Sequence, residues 1–340
     1  MSSLDINSCR IPTTILTGFL GSGKTTLLNR ILTEHHGERI AVIENEFGEA
    51  GIDNELLVRD GNEQIVEMNN GCICCTVRGD LVRILGSLAE RRSKGELDFG
   101  RVIIETTGLA DPAPVAQTFF VDDAVQENYL LDAIVTVVDA RHGSDQLDEH
   151  HEAQEQVGFA DRILLSKTDL VSADQVQAIT ARLRQMNARA SIEHSDFGRT
   201  DINRLLDIRS FDLDAILEIE PDFLEDLQHE HDDDVSSFVY RTAVPLDPVR
   251  LEEFFGSIVQ TYGAAMLRYK GVLNLAGVEQ RMVFQGVHMI FGASVDKPWR
   301  DDEIRETKIV FIGKHLPADL FRAGLDNCAV GTSVTSPGNA

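Results

Sequence analysis

Basic residues are scarce in this 340-residue chain: 31 Lys and Arg stand against 56 Asp and Glu, a formal charge of −25. A nucleic-acid partner calls for clustered Lys and Arg, so this balance excludes one and instead concentrates cations near the surface. Long apolar runs are missing as well; none approaches the roughly 20 residues of a membrane-spanning helix, so no membrane role is expected. The opening Met1-Ser2-Ser3-Leu4-Asp5 lacks the basic and apolar stretches of a secretory signal, which points to the cytoplasm. Cysteine is sparse, five in all, and three of the five fall between positions 72 and 75. That excludes a secreted disulfide framework, and in a reducing compartment the bunching suggests thiolate chemistry. What remains is an ordinary globular composition, 43% hydrophobic, and a length that suits about two domains.

The first two hundred residues alternate strand and helix. Apolar runs at Thr13–Thr17, Ile40–Ile43, Ile65–Met68, Val102–Ile104, Ile134–Val138 and Ile163–Leu165 read as strands. Helical spacing lies between most of them, as in Leu81-Val82-x-Ile84-Leu85-x-x-Leu88 and Val176-x-x-Ile179-x-x-x-Leu183. Near-continuous apolar strands separated by helices predict an α/β fold with a mostly parallel sheet covered on both faces. From Asp212 to Asp234 there are eleven acids and no Lys or Arg, a like-charge block that reads as a solvated linker. Beyond it, Ser237–Arg241, Leu267–Leu273, Arg281–Gln285 and Lys308–Ile312 read as strands, Leu251–Val259 as an amphipathic helix, and a last helix follows Pro317. The expected domains are therefore residues 1–211, a linker at 212–234, a small α+β domain at 235–328 and a disordered tail at 329–340.

Between the first strand and the first helix stands Gly18-Phe19-Leu20-Gly21-Ser22-Gly23-Lys24-Thr25-Thr26, which reads G-x-x-x-x-G-K-T. The glycines let backbone N–H groups turn toward a polyphosphate at the positive end of the helix. Lys24 then reaches the β- and γ-phosphates, and the Thr25 hydroxyl can ligate Mg²⁺. Glu105, closing an apolar strand, is placed to support the water shell of Mg²⁺, and Gly108 three residues later to sense the γ-phosphate. Lys167-Thr168-Asp169 follows another strand; an Asp there accepts from both N1–H and the exocyclic amine of guanine while the Lys stem packs on the base, which favours GTP over ATP.

Asn69-Asn70-Gly71-Cys72-Ile73-Cys74-Cys75 places three thiols within four residues directly after a strand, close enough for two or three to bind one soft metal. A single cysteine is often just a small hydrophobe, but three so close are not. They do not complete a tetrahedral zinc site, so a further ligand or an exchangeable position is implied. Glu44 to Glu49, after the second strand, either supplies a carboxylate or forms a solvated acidic loop. His229 and His231 in the acidic block either gather metal transiently or belong to a solvated linker. His35 and His36 suit a helix end, and Cys9 and Cys328 attract no role.

These segments, in this order, resemble the CobW family of P-loop GTPases. Arg268–Leu273, Phe284–Val287 and Pro298-Trp299 are similar to the CobW C-terminal domain, and the likeness runs over roughly residues 10–325. The resemblance implies a GTP-dependent metallochaperone, for Zn²⁺ or in some branches Co²⁺, with slow, metal-responsive GTP hydrolysis and a client apo-metalloprotein as partner; a homo-oligomer is compatible with it. Carried onto this chain, it implies that Gly18, Gly21, Ser22, Gly23, Lys24, Thr25 and Thr26 bind phosphates and Mg²⁺, with Lys24, Thr25 and Glu105 serving hydrolysis. It further implies that Lys167 and Asp169 read guanine and that Cys72, Cys74 and Cys75 hold the transported metal, with Glu44 and Glu49 as further candidate ligands; Gly108 is expected to sense nucleotide. Ser166 stands where the family pattern has Asn, from which a weaker hold on the guanine loop is expected. The Cys-Pro-rich docking segment of the branch serving methionine aminopeptidase is missing. Two other readings fit parts of the pattern: a metal sensor or buffer with GTPase activity, and a small-molecule kinase, against which Lys167-x-Asp169 and the cysteines speak.

Overall fold

The computed structural model describes residues 10–34, 39–45, 64–68, 74–195, 202, 205, 235–299 and 303–331, with the backbone alone at 44–45, 64–68, 74–78, 294 and 296–297. The chain divides into two compact units, Met1–Ile216 and Leu217–Ala340, and the division falls within the acidic block, which itself lies outside the described residues.

The first unit is built on a seven-stranded sheet in the order β3-β2-β4-β1-β5-β6-β7, parallel throughout. Its strands are β1 Ile11–Thr17, β2 Ile40–Asn45, β3 Gln64–Met68, β4 Arg101–Glu105, β5 Tyr129–Asp139, β6 Arg162–Ser166 and β7 Ser191–Ser195. The central strands β4 and β6 are buried from end to end, and β5 at all but Leu130, because helices cover both faces, which is why they read as continuous apolar runs. β1 lies between β4 and β5, with Leu16 beside Glu105 on one side and Val135 on the other. The chain order reverses across β1, and in such sheets the crevice at the carboxyl ends of these strands takes the ligand. Among the described residues the named helices are α1 Lys24–Thr33, α2 Cys74–Ser93, α3 Ala113–Val121, α4 Asp123–Asn128, α5 Gly143–Glu149, α6 His151–Phe159 and α7 Ala173–Met186. Local chemistry starts α7: Ser172 accepts from the Gln175 backbone N–H, and the Gln175 side chain accepts from the Ser172 N–H.

The second unit carries an antiparallel sheet in the order β11-β10-β9-β12-β8, from β8 Val235–Thr242, β9 Met266–Leu273, β10 Gln280–Val287, β11 Ile290–Pro298 and β12 Thr307–Lys314. Helices α8 Pro248–Tyr262 and α9 Ala318–Asn327 pack on it through an aromatic core of Phe238, Phe255, Tyr269, Phe284, Phe311 and Phe321. Asp247 caps α8 by accepting from the N–H groups of Val249 and Arg250, with Pro248 at the first helical position.

Three sequence expectations change. The strands β7 and β11 were not marked by periodicity, since both lie at sheet edges and carry mixed polar residues. The tail does not begin at 329: Ala329 is buried and bridged to Leu246, and the Val330 N–H donates to Pro245 O at 3.0 Å. Cys74 and Cys75, read as directly following a strand, open helix α2.

Candidate functional site

The carboxyl edge of the first sheet gathers the phosphate loop, the Glu105–Gly108 turn and the Lys167–Asp169 segment. In the loop between β1 and α1, Gly18 has φ 142° and packs so tightly that a Cβ there would stand 2.3 Å from the Val137 carbonyl oxygen. Only glycine serves at that position. Gly23 precedes α1 in the left-handed conformation and brings no side-chain cap to it. The first N–H groups of α1 thus lie at its positive end with no cap from Gly23, the arrangement that suits an anionic ligand.

Lys24 is buried and its ammonium donates to Gly18 O at 2.6 Å and Phe19 O at 3.3 Å. Burial lowers its pKa below the ordinary lysine value, against the pull of the Glu105 carboxylate. The Thr25 hydroxyl donates to Glu105 Oε1 at 3.3 Å, so the loop Thr and the acid ending β4 are neighbours although eighty residues apart in sequence. The pair offers a hydroxyl and a carboxylate, a hard oxygen set that fits Mg²⁺. Beyond Glu105, the Thr106 hydroxyl donates to Thr17 Oγ1 at 2.7 Å, and the Thr106 N–H to Leu16 O at 2.9 Å. A turn follows, with the Ala110 N–H donating to Thr107 O at 3.1 Å. Gly108 in that turn presses on the phosphate loop: a Cβ there would lie 2.7 Å from Leu20 N.

Among the described residues Lys167 is one of three non-glycine residues with positive φ, at 58°. Its ammonium donates to Gly21 O at 2.7 Å and to Asp139 Oδ2 at 2.7 Å, which holds the side chain across the phosphate loop. Asp139, the last residue of β5, is 1% exposed. Its other acceptor positions take the backbone N–H groups of Arg141 and His142 and the His142 ring. Burial pushes its pKa up, but the bonds from Lys167, His142 and the Arg141 N–H outweigh it and hold the carboxyl below its ordinary value. Asp169 is exposed in the middle of the short 3₁₀ turn Thr168–Leu170. Ser166 does tie this region to the phosphate loop, its hydroxyl lying 2.6 Å from Ser22 O and 3.2 Å from Val138 O.

The metal-ligand expectations fare differently. Cys72, Glu49, His229 and His231 lie outside the described residues, and of Glu44, Cys74 and Cys75 only the backbone is described. That backbone puts Glu44 beside Glu105 in the sheet register and Cys74–Cys75 at the start of α2. Among the described residues no group of three or more His, Cys, Asp or Glu side chains is poised for a metal, and no helix is long and apolar enough to cross a membrane.

Sequence reading missed Asp139, Gln156 and His150. Gln156 of α6 donates to Gly108 O and Ala110 O, and His150 stacks on Phe19 of the phosphate loop with ring centroids 4.6 Å apart. For Asp139 a signal existed, an acid ending an apolar strand as Glu105 does; for the other two nothing local points to the role.

The profile of the CobW/HypB/UreG nucleotide-binding domain matches residues 12–194, and that of the cobalamin synthesis protein cobW C-terminal domain matches residues 235–329. The chain is 41% identical over 316 residues to the zinc chaperone YjiA of Escherichia coli (strain K12), covering 92% of this chain and 97% of that protein. It is 32% identical over 345 residues to the zinc chaperone CobW of Pseudomonas aeruginosa, covering 90% and 88%. The crystal structure of Zn(II)-bound YjiA GTPase from E. coli superposes with a TM-score of 0.73 at 36% identity, over 94% of this chain and 99% of that one. With both domains matched and likeness along nearly the whole length, the chain belongs to the CobW/HypB/UreG family, the GTPase family that includes YjiA.

Proposed function

We propose that this protein is a zinc chaperone that binds its metal through Cys72, Cys74 and Cys75, with carboxylates from Glu44 and Glu49, and couples delivery to a client apo-metalloprotein to GTP hydrolysis. The observation that carries the reading is the end-to-end likeness to a protein named a zinc chaperone, 41% identity over 92% of this chain. The geometry of the phosphate loop agrees with it.

In this reading Lys24 exchanges its bonds to Gly18 O and Phe19 O for the β- and γ-phosphates of GTP. Thr25 and Glu105 hold Mg²⁺ and its water shell. When bound, Mg²⁺ supplies charge neutralisation of the phosphates. Gly108, pressed against Leu20, offers its N–H where the γ-phosphate ends. Lys167, clamped by Asp139 and Gly21, presents its stem to the base, and Asp169 selects guanine. Nucleotide then orders the segments at 44–49 and 72–75 around the metal, and hydrolysis releases them, an order–disorder switch of the GTPase kind. The acidic stretch 212–234 serves as linker to the second domain.

The test is linkage. Zn²⁺ should bind more tightly with Mg²⁺-GTP than with Mg²⁺-GDP, by about 5–150-fold for a typical coupling of ~1–3 kcal/mol. Titration against a chromophoric zinc competitor measures it, and Cys74→Ser with Cys75→Ser should remove the difference while leaving GTP binding largely intact. Equal zinc affinity under both nucleotides would leave a GTPase that merely carries a metal site.

A further inference from the structure

We infer that Gln156 is a positioning residue for GTP hydrolysis, a staple that sets how closely the Gly108 turn approaches the phosphate loop. The inference rests on the GTPase reading above but concerns a residue to which that reading gives no part.

Gln156 is 1% exposed, and its Nε2 donates to Gly108 O at 3.3 Å and Ala110 O at 3.0 Å. Those two carbonyls belong to the turn closed by the Ala110 N–H and Thr107 O. One side chain therefore grips the turn at two points, 46 and 48 residues away in sequence. Its own base is rigid. The Thr136 hydroxyl of β5 donates to Gln156 O at 2.7 Å, and Asn187 Nδ2 bonds the carbonyls of Val157, Gly158 and Ala160 at the end of α6. The staple thus transmits the position of the sheet to the turn, the kind of support that holds reactive groups in place.

Two further observations point to function rather than packing. Gln156 Oε1 is buried with no hydrogen-bond partner among the described residues, so the side chain carries a desolvation cost that a methionine of similar volume would avoid. And the turn it holds touches the phosphate loop backbone to backbone: a Cβ on Gly108 would meet Leu20 N and Cα at 2.7 and 2.8 Å. A turn that rigid and that close cannot drift without changing where the Gly108 N–H points, and small misplacements near reacting groups are costly in rate.

The experiment compares full-length wild type, Gln156→Met and Gln156→Glu. Gln156→Met keeps the volume and loses both donor bonds; kcat for GTP should fall by about tenfold or more, with GDP affinity within about twofold of wild type, since the side-chain bonds of Gln156 go to the Gly108 turn rather than to the phosphate loop. Gln156→Glu separates positioning from packing through pH. Its acid form can donate to the turn, whereas its carboxylate faces carbonyl oxygens, and burial among them raises its pKa. Relative to wild type at each pH, Gln156→Glu should therefore approach full turnover in acid and lose it as pH rises, while Gln156→Met stays low throughout. Backbone hydrogen exchange in the nucleotide-free proteins gives a readout independent of turnover: the Ala110 amide should exchange about tenfold faster in Gln156→Met, with α7 unchanged. If wild type hydrolyses no GTP, the functional reading fails, and unchanged Ala110 exchange in Gln156→Met overturns the staple on its own. If wild type is active, equal kcat in Gln156→Met, or a Gln156→Glu ratio that does not move with pH, overturns it.

Discussion

Gly108→Ala offers a sharp test of how the site is assembled. The added methyl group would lie 2.7 Å from Leu20 N and 2.8 Å from Leu20 Cα, where ordinary contact begins at 3.4 Å. Both neighbours are backbone, so no side-chain rotation relieves the overlap, and the turn and the phosphate loop must separate by about 0.7 Å. The φ of Gly108 lies outside the left-handed region, so alanine adds no backbone strain and the whole cost is contact. Overpacking of this size destabilises by about 1–3 kcal/mol. At roughly 2–4 °C per kcal/mol for a unit of this size, Tm should fall by about 2–12 °C. The functional loss should be larger, since a displacement approaching 1 Å can cost up to about 10²-fold in rate. Thermal unfolding and GTP turnover on the same preparation measure both. Gly86→Ala is the control: Gly86 is exposed in α2 with nothing among the described residues within 4 Å of its Cβ position, and alanine there should stabilise by about 0.8–1 kcal/mol at unchanged turnover. Wild-type stability and turnover in Gly108→Ala would show that the turn does not bear on the phosphate loop.

Two further outcomes follow from the guanine side of the site. Asp169→Asn should weaken GTP and favour xanthosine triphosphate, whose extra carbonyl accepts from the new amide; competition binding with GTP, XTP and ATP decides it, and equal wild-type affinities for all three would refute base selection by Asp169. The Asp139 carboxyl is held below its ordinary pKa, so its bond to Lys167 contributes stability that is fully present above the unfolded carboxylate range and is lost as pH falls through the depressed value. Denaturant midpoints against pH should show Asp139→Asn less stable than wild type at neutrality and converging with it in acid; parallel curves would contradict this.

The elements that local physics specifies were open to sequence reading. G-x-x-x-x-G-K-T carries its own conformation in its glycines, and the buried strands β1, β4, β5 and β6 announce themselves because both faces must be apolar. Ser172 and Gln175 start α7, and Asp247-Pro248 start α8, with bonds only a few residues long. Edge strands were less legible: Ser191-Ile192-Glu193-His194-Ser195 holds one aliphatic residue, and only the pairing with β6 makes it a strand.

What the sequence by itself determined, then, is the chemistry of the nucleotide loop and the alternation that builds a parallel sheet, because those depend on neighbours within a few residues. Which side chains serve that loop was decided only in three dimensions. Thr25 meets Glu105 because β1 and β4 pair in register; Lys167 is fixed by an acid at the end of β5; Gln156 reaches Gly108 because α6 is locked against β5. The contacts Thr25–Glu105, Lys167–Asp139 and Gln156–Gly108 join residues at least 28 apart, and no local spacing encodes them. Ser166 shows the same divide: as a residue type it suggested a loosened loop, yet at the carboxyl end of β6 its hydroxyl lies 2.6 Å from Ser22 O, a contact across 144 residues that no local pattern encodes.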